Sequence, residues 1–291
     1  MPTTPKSKVV LITGCSSGFG LLIAARLAQH GHQVIATMRD LQRSSGLVNE
    51  VHKREAKIDL YPMDVTHLGT IKETFAKVAD KYGYIDCLVN NAGYGIGGAF
   101  EDLTEEEIRD QMETNFFGVQ NVIREALHLM RNREDARIIN ISSVAGFSSS
   151  PCFGAYNASK WALEGFSESL RYELLPFGIK VLLIEPGIYK TKIFSENRRY
   201  ATHFNNAESP YYGMSQHLKM RVDEFVADCF KDPEDIAELV ERLISAKNPA
   251  FRNQPDLEAK IQYIFKKILP FRLYSKIVET AVFKGLAFRK K

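Results

Sequence analysis

The strongest constraint on how this chain folds is the alternation, from its first strand onward, of short apolar runs with helically spaced stretches. Val9-Val10-Leu11-Ile12 is continuously apolar and runs into Thr13-Gly14; a glycine-rich turn follows, then Leu21-Leu22-Ile23-Ala24-Ala25-Arg26-Leu27-Ala28 at helical spacing. This order reads as strand, turn and helix. Gly31 closes the helix, and Gln33 to Thr37 makes a second strand. The pattern predicts further strands at 58–61, 85–89, 137–141 and 180–185, with helices near 43–55, 67–82, 104–131 and 155–175. A seventh strand is expected near 250–254, after a helix opened by Asp232-Pro233-Glu234. Strands that alternate with helices are parallel, because parallel neighbours need crossover connections, and the crossovers cover both faces of the sheet. The predicted fold class is α/β: a doubly wound parallel sheet of about seven strands with helices on both faces, plus a C-terminal helical extension.

A chain of 291 residues can bury a large core, roughly three-quarters of the surface its unfolded form exposes, and needs no disulfide or metal staple. Cys15, Cys87, Cys152 and Cys229 lack the paired spacing of a disulfide framework or zinc site, and the histidines show no metal spacing. No metal is expected, and a reducing, cytoplasmic setting is. Met1 to Lys8 is short and polar, without the apolar core of a signal peptide, and no apolar run is long enough to span a bilayer. The net charge of +3 is uneven: from Lys260 to Lys291 nine Lys or Arg stand against one acidic residue, Glu279, leaving about −5 on the residues before them. The main body therefore carries no argument for nucleic-acid binding.

Thr13-Gly14-Cys15-Ser16-Ser17-Gly18-Phe19-Gly20 follows the first strand and opens the first helix. Gly14 allows a tight turn, Gly18 lets backbone approach a pyrophosphate, and Gly20 lets helix pack closely on strand, while the helix N-terminus offers N–H groups to the phosphates. Residues 1–256 thus read as a single Rossmann-type dinucleotide-binding and catalytic domain. The irregular stretch 187–231, beyond the sixth strand, is a substrate lid, and 257–291 is a basic amphipathic extension. Choice between NAD and NADP is made just past the second strand, at Thr37-Met38-Arg39-Asp40. An apolar residue followed by Arg39 favours NADP(H); if Asp40 instead faces the ribose, NAD(H) is preferred.

Tyr156-Asn157-Ala158-Ser159-Lys160 begins a helix, and the four-residue spacing puts Tyr156 and Lys160 on one face. Lowering a tyrosine from a pKa near 10 by about three units takes ~4 kcal/mol; one ammonium at ~4 Å supplies much of that, and the positive charge of the oxidised nicotinamide adds to it. Tyr-x-x-x-Lys alone is weak, but other motifs accompany it. Ser143 ends the strand after Ser142 and precedes Tyr156 by thirteen residues, Asn90-Asn91-Ala92-Gly93 ends the fourth strand, and Asn115 lies in the next helix. Pro186-Gly187-Ile188-Tyr189-Lys190-Thr191 follows the sixth strand. In order and spacing these segments, over about residues 8–256, closely resemble the short-chain dehydrogenase/reductase superfamily in its compact single-domain branch. The chain is similar, more weakly, to its hydroxysteroid and retinol dehydrogenase-like members.

The resemblance implies Tyr156 as acid/base, Lys160 on the nicotinamide ribose as well, Ser143 on the substrate carbonyl and Asn115 anchoring a water in a proton relay. It implies Asp64 and Val65 at the adenine, Asn90, Asn91, Ala92 and Gly93 along the cofactor, and Pro186, Gly187, Ile188 and Thr191 near the carboxamide. A homodimer or homotetramer through the long helices is also implied. Tyr94, Ile96, Phe147, Phe153, Ile188 and Phe194, with Tyr200, form an apolar candidate pocket suited to a lipophilic carbonyl or alcohol. The basic tail either lies on an anionic membrane or packs on protein with its lysines in water, and the second reading is favoured. The expected activity is hydride transfer between NADP(H) and a carbonyl or secondary alcohol. The alternatives are an NAD-dependent alcohol dehydrogenase of the same family, or a non-catalytic dinucleotide sensor, which would not need Asn115, Ser143, Tyr156 and Lys160 together.

Overall fold

The computed structural model describes residues 7–192 and 198–285. Along the first half run β1 (Val9–Ile12), α1 (Gly18–Gln29), β2 (Gln33–Met38), α2 (Ser45–Lys53), β3 (Asp59–Pro62), α3 (Leu68–Tyr82) and β4 (Cys87–Asn90). After a short β5 (Ile96–Gly97) come α4 (Glu105–Met112), α5 (Gly118–Met130), β6 (Arg137–Ile141), α6 (Gly154–Leu174), β7 (Lys180–Ile184) and a second short strand, β8 (Arg199–Tyr200). The chain ends with α7 (Tyr212–Ala227), α8 (Glu234–Ser245), β9 (Arg252–Asn253), α9 (Leu257–Ile268) and α10 (Phe271–Phe283).

Seven strands form one parallel sheet in the order β3-β2-β1-β4-β6-β7-β9, in register through Leu11↔Ile35, Leu11↔Leu88, Val89↔Ile139 and Ile139↔Leu182. Successive strand residues point to opposite faces. Val10 and Ile12 enter the apolar layer shared with α1 and α8, while Val9 and Leu11 enter the layer under α3, α5 and α6. Both faces are covered, which is why β1 is apolar at every position. Strand order reverses between β1 and β4, so the loops after these two strands diverge and open a crevice at the carboxyl edge of the sheet.

The predicted helix over 104–131 is two helices. Thr104 and Glu107 exchange a reciprocal capping pair, the Thr104 hydroxyl accepting from Glu107 N at 3.1 Å and the Glu107 carboxylate from Thr104 N at 2.8 Å. Between α4 and α5 the residues Glu113–Phe117 widen into a π-turn. The two-residue strands β5 and β8, too short to show in sequence, pair in parallel outside the main sheet. They bring the chain after residue 198 back beside the loop that follows β4.

The C-terminal extension packs on the main body. Tyr263 of α9 meets Phe147 edge-on at 5.2 Å, and Gln262 donates to the Ser148 hydroxyl at 3.0 Å. The Tyr274 hydroxyl of α10 also bonds Ser148.

Candidate active site

Beyond the carboxyl ends of β1, β4, β6 and β7 lies a cleft of about 650 Å³. Gly14 has φ +73°, and a Cβ there would sit 2.7 Å from Ala92 Cα, so only glycine fits the turn. A Cβ on Gly20 would meet Asn91 Nδ2 at 2.4 Å and Gly14 O at 2.5 Å. Asn91 justifies that crowding, donating through Nδ2 to Thr13 O at 2.9 Å and Gly14 O at 3.1 Å. The Thr13 hydroxyl accepts from the backbone of Asn91 at 3.0 Å and of Ala92 at 2.9 Å. The glycine turn and the segment after β4 are therefore one hydrogen-bonded unit. The first turn of α1 holds no acidic residue and Ser17 makes no side-chain cap, so the positive end of the helix faces the cleft. These features fit the pyrophosphate of a dinucleotide.

At the far end of β2, Met38, Arg39 and Arg43 line the cleft. Asp40 is engaged elsewhere: its carboxylate accepts from Gln42 N at 2.9 Å and caps the turn Leu41–Arg43. Asp64 and Val65 line the adjoining wall.

The opposite end is built on β6 and α6. Ser142 and Ser143 both border the cleft, but their hydroxyls diverge as alternation requires: the buried Ser142 hydroxyl donates to Glu164 at 2.6 Å, while that of Ser143 is engaged with Tyr156. The Ser143 hydroxyl accepts from Ala145 N at 3.1 Å, which leaves its proton to donate, and it hydrogen-bonds the Tyr156 hydroxyl. Lys160, one turn along α6, donates to Ile141 O at 2.9 Å and lies 5.9 Å from the Tyr156 ring centre. Asn115 sits in the π-turn behind Tyr156, where the extra residue per turn swings its amide inward. Its Nδ2 donates to Tyr94 O at 2.9 Å and Ser159 Oγ at 3.0 Å, its Oδ1 accepts from Tyr94 N at 3.1 Å, and Ser159 in turn donates to Tyr156 O at 2.7 Å. Asn115 thus braces the start of α6 against the loop after β4.

Burial pushes the Tyr156 hydroxyl above its ordinary value, and the Ser143 hydrogen bond opposes it. Burial acts on Lys160 as well, pushing it down to about 8 against the attraction of Glu164.

The cleft is lined by Gly14, Ser16, Ser17, Gly18, Phe19, Asn91, Ala92, Gly93, Tyr94, Phe153, Pro186, Gly187, Ile188 and Thr191, alongside Ser143, Tyr156 and Lys160. Phe147 does not join them. It is buried beneath Tyr263 because α9 returns over it, and it serves packing rather than the cleft. Phe194 lies outside the described residues. Arg198 and Arg199 line the cleft without having been predicted. Arg199 stacks over the Tyr94 ring at 4.1 Å, placed there by the β5–β8 pairing.

The comparisons with known proteins agree with this geometry. A profile of the short chain dehydrogenase family matches residues 8–201. The chain belongs to that family. This short-chain dehydrogenase is an oxidoreductase that works on alcohol and carbonyl groups with a nicotinamide dinucleotide. It is 37% identical over 279 residues to the uncharacterized oxidoreductase YusZ of Bacillus subtilis, covering 95% of this chain and 99% of that one. It is 37% identical over 260 residues to a 3-ketodihydrosphingosine reductase of Bacteroides thetaiotaomicron, covering 89% and 91%. It is 33% identical over 260 residues to human retinol dehydrogenase 8, covering 86% and 82%. Among solved structures, a short-chain dehydrogenase from Streptomyces avermitilis superposes with a TM-score of 0.77 at 33% identity, covering 96% and 97%. An actinorhodin polyketide ketoreductase variant with NADPH gives 0.73 at 31%, covering 87% and 97%, and a Burkholderia phymatum family member with NAD gives 0.76 at 25%, covering 89% and 94%.

Proposed function

We propose that this short-chain dehydrogenase is an NADP(H)-dependent reductase of a lipophilic carbonyl, steroid-, retinoid- or long-chain-like, in which Tyr156 supplies the proton. The observation that carries this reading is the hydroxyl pair at the cleft. Burial keeps Tyr156 protonated at neutral pH, and Ser143, which accepts from Ala145 N–H, is hydrogen-bonded to it. A tyrosine whose pKa is raised is a poor base but a competent proton donor to an oxygen that is becoming an alkoxide. Ser143 offers a second donor to the same oxygen. The chemistry a bound nicotinamide supplies is hydride transfer to carbon. Lys160, fixed by Ile141 O, holds the ribose side of the cleft and puts a positive charge beside the developing anion. Asn115 positions Tyr156 through Ser159.

Gly14 to Gly20 and the N-terminus of α1 take the pyrophosphate, Asp64 and Val65 the adenine, Asn91 to Gly93 the middle of the cofactor, and Pro186 to Thr191 the carboxamide. Preference for NADP(H) is supported by Arg39 and Arg43 on the cleft wall and by the engagement of Asp40 in a turn cap. A lipophilic substrate is supported by Tyr94, Phe153 and Ile188 on the lining. Residues 1–256 act as one catalytic unit with 187–231 as its lid, and the active form is a homodimer or homotetramer. Four buried, unpaired thiols support work in a reducing compartment such as the cytoplasm.

The decisive experiment follows NADPH absorbance with a panel of steroid, retinoid, aliphatic and aromatic carbonyls, using wild type and Tyr156→Phe. Removing the general acid is expected to lower kcat by about 10²–10⁴-fold while NADPH still binds. Unchanged turnover in the variant would show that Tyr156 is not the proton donor.

A further inference from the structure

The C-terminal helix α9 is amphipathic in the inverted sense. On its wheel Leu257, Ile261, Ile264, Phe265 and Ile268 form one continuous stripe, and every one of them is exposed, Leu257 by 71% and Ile268 by 68%. Phe271, just past Pro270, continues the stripe at 73% exposure. The opposite side of the helix faces protein: Ala259 is buried, Gln262 bonds Ser148, and Tyr263 packs on Phe147. The extension therefore docks with its more polar side inward and shows its apolar side to the outside. Cations accompany that side. Lys260 and Lys267 border one edge of the stripe and Glu258 the other, and Arg272, Lys276 and Lys284 follow on and after α10, with Glu258 and Glu279 as the only acidic residues from 257 to 285. Trp161 of α6, 45% exposed, lies beside Lys266 on the protein-facing side of α9, the Lys266 ammonium standing 5.9 Å from its ring and 5.4 Å from that of Phe271.

We infer that the outward face of α9 and the start of α10 is a docking surface for an anionic lipid bilayer. An apolar stripe with lysines along one edge and further cations on the helix that follows is what the headgroup boundary accommodates: side chains enter the acyl region while ammonium groups stay with lipid phosphates and carboxylates. A second copy of the same face would bring like charge against like charge, which disfavours a symmetric self-interface. Among the described residues no helix is long and apolar enough to cross a membrane, and α9 at twelve residues lies along a surface instead. The inner side of α9 rests on the turn that follows Ser143, so docking here sets the carbonyl end of the cleft near the lipid.

The test uses the full-length protein with vesicles of phosphatidylcholine alone and of phosphatidylcholine with phosphatidylserine. Trp161 is the single tryptophan of the chain and lies beside Lys266 of α9, so its emission follows changes at the edge of this extension. Expected are cosedimentation with anionic vesicles, a blue shift of Trp161 emission, release on raising the salt, and little binding to the neutral vesicles. Ile264→Glu with Ile268→Glu should weaken binding by about tenfold or more, with an unchanged melting temperature and unchanged NADPH binding showing that the fold is intact. Because binding is read without turnover, a wrong assignment of the reaction leaves this result standing. Failure to bind anionic vesicles, equal binding to neutral ones, or conversion of an oligomer to a monomer by the two substitutions without vesicle binding would each overturn the inference; the last would identify the face as a contact between protein chains.

Discussion

Replacing Glu185 by glutamine should remove a pH dependence that the folded protein carries in its interior. Glu185 directly follows β7 with no exposed side-chain surface, and Glu164 of α6, 4% exposed, lies against it. Arg252 of β9 pairs with both, reaching Glu185 at 2.5 Å, and Gln254 also donates to Glu185. Burial first, then the charge of Glu164 and a hydrogen bond with it, push Glu185 from 4.5 up to about 8, against the opposing pull of Arg252. At pH 6 the pair therefore holds one proton in the folded state that the unfolded chain has released. The stability this contributes is complete below the ordinary carboxylate range and is lost as pH rises through about 8, at up to about 1.4 kcal/mol per pH unit across the window. The total is on the order of a few kcal/mol. Glutamine mimics the protonated acid and can still donate to Glu164, so the variant should lose this slope. Urea unfolding followed by circular dichroism at pH 6 and pH 9 reads the effect. Lys160, held down to about 8, titrates nearby in both proteins, so the difference between wild type and variant is the informative quantity. Stability curves that fall in parallel for the two proteins would refute the shared proton.

Four further outcomes are expected. Asn115→Ala strips a buried brace from Tyr94 and Ser159, which should cost about 2–4 kcal/mol in urea unfolding and lower kcat more than it raises KM. Arg39→Ala should weaken NADPH relative to NADH by about tenfold or more in fluorescence titration; an unchanged ratio would assign the selection to another group. Gly20→Ala forces a Cβ to 2.4 Å from Asn91 Nδ2 and should abolish dinucleotide binding with a lowered melting temperature, whereas Gly165→Ala, with nothing within 4 Å, should stabilise α6 by about 0.5–1 kcal/mol.

Features governed by neighbours in sequence were legible in advance. The glycine turn, the strand alternation that separates Ser143 from Ser142, and the one-turn spacing of Tyr156 and Lys160 depend on backbone period alone. Features that depend on what returns from far along the chain were not. Phe147 reads as pocket lining until α9 comes back more than a hundred residues later and covers it with Tyr263. The lysine beside Tyr156 is visible in sequence, but the burial that raises Tyr156 is a property of the packed cleft. Arg199 reaches Tyr94 only because two short strands pair. The π-turn that aims Asn115 leaves no mark in apolar periodicity, since one extra residue between two helices still reads as one helix.

The same distinction explains why the chain beyond the sixth strand belongs to the site rather than being appended to it. Asn253 donates to Leu183 O at 3.0 Å, Gln254 donates to Glu185, and Asp256 accepts from Gly187 N at 3.3 Å while its other oxygen caps α9 through Ala259 N at 2.9 Å. The segment Pro186–Gly187, which faces the cleft, is thus held from behind by residues that open the extension. One carboxylate thus holds both the Gly187 backbone on the cleft wall and the first turn of the helix whose outer face carries the apolar stripe.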